Sequence, residues 1–210
     1  MATSKFSDLY PDVLPLLAAD PSEPVMDRAI RRAAIEFCDL SRVWRVTPDA
    51  MTTVAGEGFY DLEPPAGAEV AHVVGVKVAG RLLPARTLME VERTVANWRG
   101  TGEVQCFTQM DPEQIVLAPA PSESGLSLEI VAAMRPTLKA STLPGWIVSR
   151  YGHYIAAGAA SKLMLMPDKP WTAGQAGVLM RDTFMTGVAE AKGDGESAMG
   201  TAIIRTTPQH

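Results

Sequence analysis

The chain is poor in the residues that most chemistry needs. Its 210 residues hold two cysteines, Cys38 and Cys106, and no Cys-x-x-Cys pair. Zinc sites are built on that kind of spacing, so no metal site is expected. Cys38 lies beside the apolar face of a helical stretch and Cys106 within a strand pattern; two buried thiols are the favoured reading over a disulfide. There are three histidines: His72 in a strand pattern, His153 in a helical one, and His210 at the end of the sequence. No Ser-His-Asp order, paired-carboxylate motif or Gly-x-Ser-x-Gly elbow occurs. Ser149 and His153, one helical turn apart, come nearest to a nucleophile–base pair, but no acid or oxyanion-hole signature accompanies them. Gly56-Glu57-Gly58 and Gly193-Asp194-Gly195 lack the Lys-Ser/Thr of a phosphate loop and the spacing of a dinucleotide fingerprint, and read as turns. No catalytic or cofactor-binding residue is assigned, no cofactor is expected, and the chain does not read as an enzyme.

Positive charge is also in short supply. Nineteen Lys and Arg stand against 24 Asp and Glu, for a net charge of -5 and a pI near 5.2. Gripping nucleic acid by phosphate neutralisation needs clustered cations, so a dedicated DNA-binding protein is disfavoured. The composition is compatible with a protein that surrounds DNA without holding it. Long apolar runs are missing too. The most apolar stretch, Tyr154 to Met166, contains Ser161 and Lys162 and falls short of the ~20 residues that span a bilayer. Met1 to Asp8 has neither the basic start nor the apolar core of a signal peptide. The expectation is a soluble chain made in a reducing compartment, with no membrane partner.

What is present is enough apolar residue for a core: 47% hydrophobic against 20% charged. The organising stretch runs from Ser22 to Trp44. Met26, Ile30, Ala33, Ala34, Phe37, Leu40 and Trp44 recur at three- and four-residue steps and share one helix face. Asp27, Arg28, Arg31, Arg32, Glu36, Asp39 and Arg42 share the other, where Asp27 faces Arg31 and Arg32 faces Glu36 one turn apart. Ser22 reads as N-cap, and Thr47-Pro48 stops the helix. Upstream, Phe6 to Ala19 has helical spacing interrupted by Pro15.

From Asp49 to Pro136 the period shortens. Met51–Val54, Phe59–Leu62, Val70–Val78, Arg81–Leu83, Val104–Thr108, Gln114–Ala118 and Leu126–Arg135 read as strands. Thr87 and Glu90 form a capping box for a short helix, Leu88 to Trp98. Helices return over Trp146 to Met166, rich in small residues that let axes approach closely, and again from Thr172 until Gly193-Asp194-Gly195. The expected fold is α+β: a four-helix bundle from both chain ends, with a β-rich insertion and an extended C-terminal arm. The divisions fall at 1–46, 47–140, 141–192 and 193–210. Within the arm, Ala202, Ile203 and Ile204 are apolar and β-prone, and Arg205 follows them.

Several segments carry a resemblance: Ala34-Ile35-Glu36-Phe37-Cys38 with Val43-Trp44-Arg45, Val54 to Leu62, Val74 to Arg81, Leu143-Pro144 with Tyr151, Ile155 to Ala159, and Met166 to Trp171. In this order and spacing they resemble the head-to-tail adaptor proteins of tailed phages, especially the tail tubular or portal-adaptor family of short-tailed phages. The resemblance implies a virion protein of the tail or neck, present in host cytoplasm during assembly. It implies a dodecameric ring under the portal, tail nozzle or tail tube proteins docked beneath, and genomic DNA passing through without specific binding. It also implies that the arm, with Ala202, Ile203, Ile204 and Arg205, reaches the portal protein. The family has no catalytic motif. The alternatives are a head- or tail-completion protein of a long-tailed phage and, from another class, a small cytosolic hydrolase with an unrecognised site.

Overall fold

The computed structural model describes residues 2–49 and 51–203. In chain order the elements begin with β1 (Thr3–Lys5), a 3-10 turn (Phe6–Leu9), α1 (Tyr10–Val13), a second 3-10 turn (Leu14–Leu16) and α2 (Glu23–Ser41). A β-rich stretch follows: β2 (Arg45–Val46), β3 (Met51–Thr52), β4 (Phe59–Asp61), β5 (Ala68–Val78), β6 (Arg81–Leu83), α3 (Leu88–Thr94), β7 (Thr101–Gly102), β8 (Cys106–Asp111), β9 (Gln114–Ala118), β10 (Ala120–Pro121) and β11 (Ser127–Pro136). The chain closes with β12 (Thr142–Pro144), α4 (Gly145–Met164) and α5 (Gly174–Ile203). It divides into two compact units, one of Arg45–Met134 and one of the chain on either side.

The expected four-helix bundle with a β-rich insertion and an extended C-terminal arm is not what forms. The described residues make five α-helices and twelve strands in four sheets, a sheet-rich fold. The helices at both ends of the chain also depart from the expectation. The first expected helix, Phe6 to Ala19, carries Pro11 and Pro15, which remove two N–H donors; it collapses to one α-turn between two 3-10 turns. Its preceding residues pair instead as a strand, Thr3 opposite Pro144 and Lys5 opposite Thr142. At the other end, Gly193-Asp194-Gly195 does not stop the last helix, which continues to Ile203. Each helical glycine costs about 1 kcal/mol relative to alanine, and here tertiary contacts on Asp194 outweigh that local preference.

In the terminal unit, α2, α4 and α5 pack side by side. Phe37 of α2, Tyr151 of α4 and Phe184 of α5 meet at the centre, Phe37 lying 5.4 Å from the Tyr151 ring and 6.0 Å from the Phe184 ring, all fully buried. Small residues permit this closeness: a Cβ on Gly158 would lie 2.3 Å from the Phe184 ring, and one on Gly187 would lie 2.1 Å from Tyr154. α2 begins at Glu23 with Ser22 in the N-cap position, although no side-chain hydrogen bond caps it; it ends when Arg42 turns left-handed at φ 53°, before Thr47-Pro48 is reached.

In the β unit, β5 and β11 are neighbours in a sheet ordered β2-β11-β5-β6, with β3 also on β11. β4, β9 and β8 form a second, antiparallel sheet, and β7 pairs with β10 in parallel. The helix α3 carries the expected reciprocal capping box, the Thr87 side chain accepting from Glu90 N–H while the Glu90 carboxylate accepts from Thr87 N–H at 2.8 Å. Its Val91, with Val95 and Trp98 just beyond, packs on Cys106 and Ala118.

Candidate functional site

The sequence reading placed its one functional stretch at Ala202, Ile203, Ile204 and Arg205. Ala202 and Ile203 lie in the last turn of α5; Ile204 and Arg205 lie outside the described residues. What positions this end of the chain is the seam between α4 and α5. The Tyr151 hydroxyl donates to Asp194 Oδ2 at 2.7 Å, and the same carboxylate oxygen takes an ion pair from Arg150 at 2.7 Å. One turn earlier on α5, the Tyr154 hydroxyl donates to Glu190 at 2.7 Å. Burial, then the hydrogen bond to Asp194, pushes the Tyr151 phenol up to about 12. The glycines on either side of Asp194 thus sit on a helix pinned at two successive turns.

A second polar cluster ties all three long helices together. Glu36 of α2 accepts from Lys162 of α4 at 2.5 Å and from Arg181 of α5 at 2.5 Å. Burial alone would push the Glu36 carboxyl up; the hydrogen bonds and positive charges of Arg181 and Lys162 outweigh it and hold the group below its ordinary value. The expected pairing of Glu36 with Arg32 is therefore replaced. Asp27 is diverted as well: it accepts from the Tyr10 hydroxyl at 2.8 Å. The sequence reading did not single out Tyr151 with Asp194, or Glu36 with Lys162 and Arg181, as clusters, because the partners lie far apart along the chain and no local spacing joins them.

The two units differ in charge. Residues 45–134 hold six Lys and Arg against twelve Asp and Glu, whereas the rest of the chain holds thirteen against twelve. One end of the β4–β9–β8 sheet gathers Asp61, Glu63, Asp111 and Glu113 around a shallow depression. Asp61 accepts from Gln114 Nε2 at 2.8 Å and Asp111 from Glu113 N–H at 2.9 Å; no cation pairs with any of the four among the described residues.

Ser149 and His153 are both exposed, and the His153 ring lies against Tyr154 with centroids 3.9 Å apart and planes tilted by 40°. Cys38 and Cys106 are buried free thiols, and burial pushes Cys38 up to about 12. Among the described residues no cluster of three or more His, Cys, Asp or Glu could hold a metal ion, and no helix is long and apolar enough to cross a membrane.

The described geometry is thus one of helices braced by polar clusters and of exposed charged patches. No curated protein matches the chain. A family profile does, that of the SU10 adaptor protein, over residues 4–205. That match takes in both units and nearly the whole sequence, and by it the chain belongs to the SU10 adaptor protein family, a family of structural phage adaptors found in the virion.

Proposed function

We propose that this adaptor is a connector of the head-to-tail junction of a short-tailed phage, joining the portal protein to tail nozzle or tail tube proteins as a ring, a dodecamer by the expectation above. The observation that carries the reading is the family match over residues 4–205. In this reading the protein turns over no substrate and needs no cofactor; it works in the tail or neck of the virion and is found in host cytoplasm only during assembly. The net charge of -5 on the chain supports passage of the genome, because a net-acidic protein around DNA repels phosphate and lets it slide.

The portal contact is proposed at the C-terminal end, with Ala202, Ile203, Ile204 and Arg205 as its residues. The pinning of α5 through Glu190 and Asp194 supports this assignment, since the braced helix runs on to Ala202 and Ile203. Truncation after Gly195 tests it, because that variant keeps both anchoring carboxylates. The shortened chain is expected to keep its fold and melting temperature but fail to co-sediment with portal rings. Undiminished portal binding would move the contact elsewhere on the chain.

A further inference from the structure

The outer face of α2 carries three arginines at 28, 31 and 32, and the fold has taken away the carboxylates that the helix spacing offers them. Asp27 is held by Tyr10 at 2.8 Å, and Glu36 is held by Lys162 and Arg181. Arg31 is half used: one terminal nitrogen donates to the Leu138 carbonyl at 2.8 Å and its guanidinium lies 5.5 Å from the Phe6 ring, while its Nε is buried with no acceptor among the described residues. Arg28 and Arg32 are exposed, and no ion pair is formed by either among the described residues. With Pro24, Asp27 and Leu138 the three arginines line a cleft of about 420 Å³. A guanidinium row of this kind fits carboxylates, which it can bind through two parallel N–H donors.

The same chain carries the complement. Asp61, Glu63, Asp111 and Glu113 are exposed at one end of the β4–β9–β8 sheet and have no cationic partner among the described residues. We propose that the Arg28–Arg31–Arg32 cleft of one copy receives this acidic sheet end of a second copy. The contact joins two different patches, so it is heterologous; such contacts generate closed rings when the rotation between copies closes. The inference rests on the ring reading given above and deepens it by naming which surfaces meet. An acidic protein surface is favoured over nucleic acid because the complementary charge stands on the chain itself and the net charge of the whole is negative.

Charge reversal on the full-length chain tests the contact. Self-association is followed by sedimentation velocity and native mass spectrometry at about 0.05 M and about 0.5 M salt, where screening separates exposed ion pairs from apolar contacts. Arg28→Glu with Arg32→Glu, and separately Glu63→Lys with Glu113→Lys, are each expected to weaken self-association roughly tenfold or more at low salt. All four residues are exposed, and circular dichroism verifies that each variant folds. The decisive outcome is the four-fold variant, or a mixture of the two reversed chains, which should associate again. Wild-type assembly that both reversed variants match would overturn this contact and leave the ring reading standing. A wild-type chain that stays monomeric alone and with portal rings would overturn the ring reading and the contact together. Binding of duplex DNA that Arg28→Glu with Arg32→Glu abolishes, with self-association intact, would reassign the cleft to phosphate.

Discussion

The Tyr151 hydroxyl and the Asp194 carboxylate meet at 2.7 Å across the α4–α5 seam, and Arg150 joins the same oxygen. This contact falls between Gly193 and Gly195, at the place where local sequence calls for a helix end. The helix instead runs on to Ile203. A hydrogen bond to a charged group contributes about 1.5–3 kcal/mol, comparable to the cost of two helical glycines.

Removing that contact should loosen the end of α5 before it unfolds the unit. Tyr151→Phe and Asp194→Asn are each expected to destabilise by about 1–2 kcal/mol. Amide exchange should accelerate for residues beyond Glu190 while the α4 core stays protected. The phenol adds an alkaline signature. Because folding raises the Tyr151 pKa to about 12, its stabilisation is complete below 10 and is lost as pH climbs from 10 towards 12. Thermal melts across that window should show a shallower decline for Tyr151→Phe.

The Glu36 cluster gives an acid signature of opposite sign. Its folded pKa lies below the ordinary 4.5, so the stabilisation is present above that value and disappears as pH falls through the folded pKa. Glu36→Gln should lower the melting temperature at neutral pH and flatten the acid limb of the stability profile. Lys162 and Arg181 would then share a site with no anion. An unchanged acid limb together with an unchanged melting temperature at neutral pH would show that the cluster adds nothing to folding.

The aromatic centre should be the costliest place to cut. Phe37→Ala and Phe184→Ala remove fully buried rings and are each expected to destabilise by about 3–5 kcal/mol, read from chemical denaturation. Gly158→Ala tests the same contact from the other side. Its Cβ would stand 2.3 Å from the Phe184 ring, so the helices must separate, and a loss of about 1–3 kcal/mol is expected despite alanine's better helix propensity. A stabilised Gly158→Ala would show that α4 and α5 pack more loosely than described.

For the genome path, mobility-shift experiments at low salt should find no specific DNA complex with the wild-type chain. Sub-micromolar binding with a steep salt slope would contradict passage without capture.

Much of this protein is written in local sequence. The apolar steps from Met26 to Phe37 specify α2, the alternation from Val70 to Val78 specifies β5, and the Thr87–Glu90 pair starts α3, because in each case neighbours a few residues apart share one face or one cap. The order and spacing of its segments also carried the resemblance to phage adaptors. Local signals misled where distant partners or prolines decide. Pro11 and Pro15 broke a periodicity that read as helix, and the residues before it found a strand partner at Thr142–Pro144. Asp194, read as part of a turn, became a helical anchor only once Tyr151 and Arg150 were brought against it. Glu36 and Asp27, read as partners of Arg32 and Arg31, were claimed by Lys162, Arg181 and Tyr10. Spacing along a helix sets which side chains can meet on its own surface; which ion pairs form, and which arginines are left facing outward, is decided when other elements bring stronger partners to the same carboxylates.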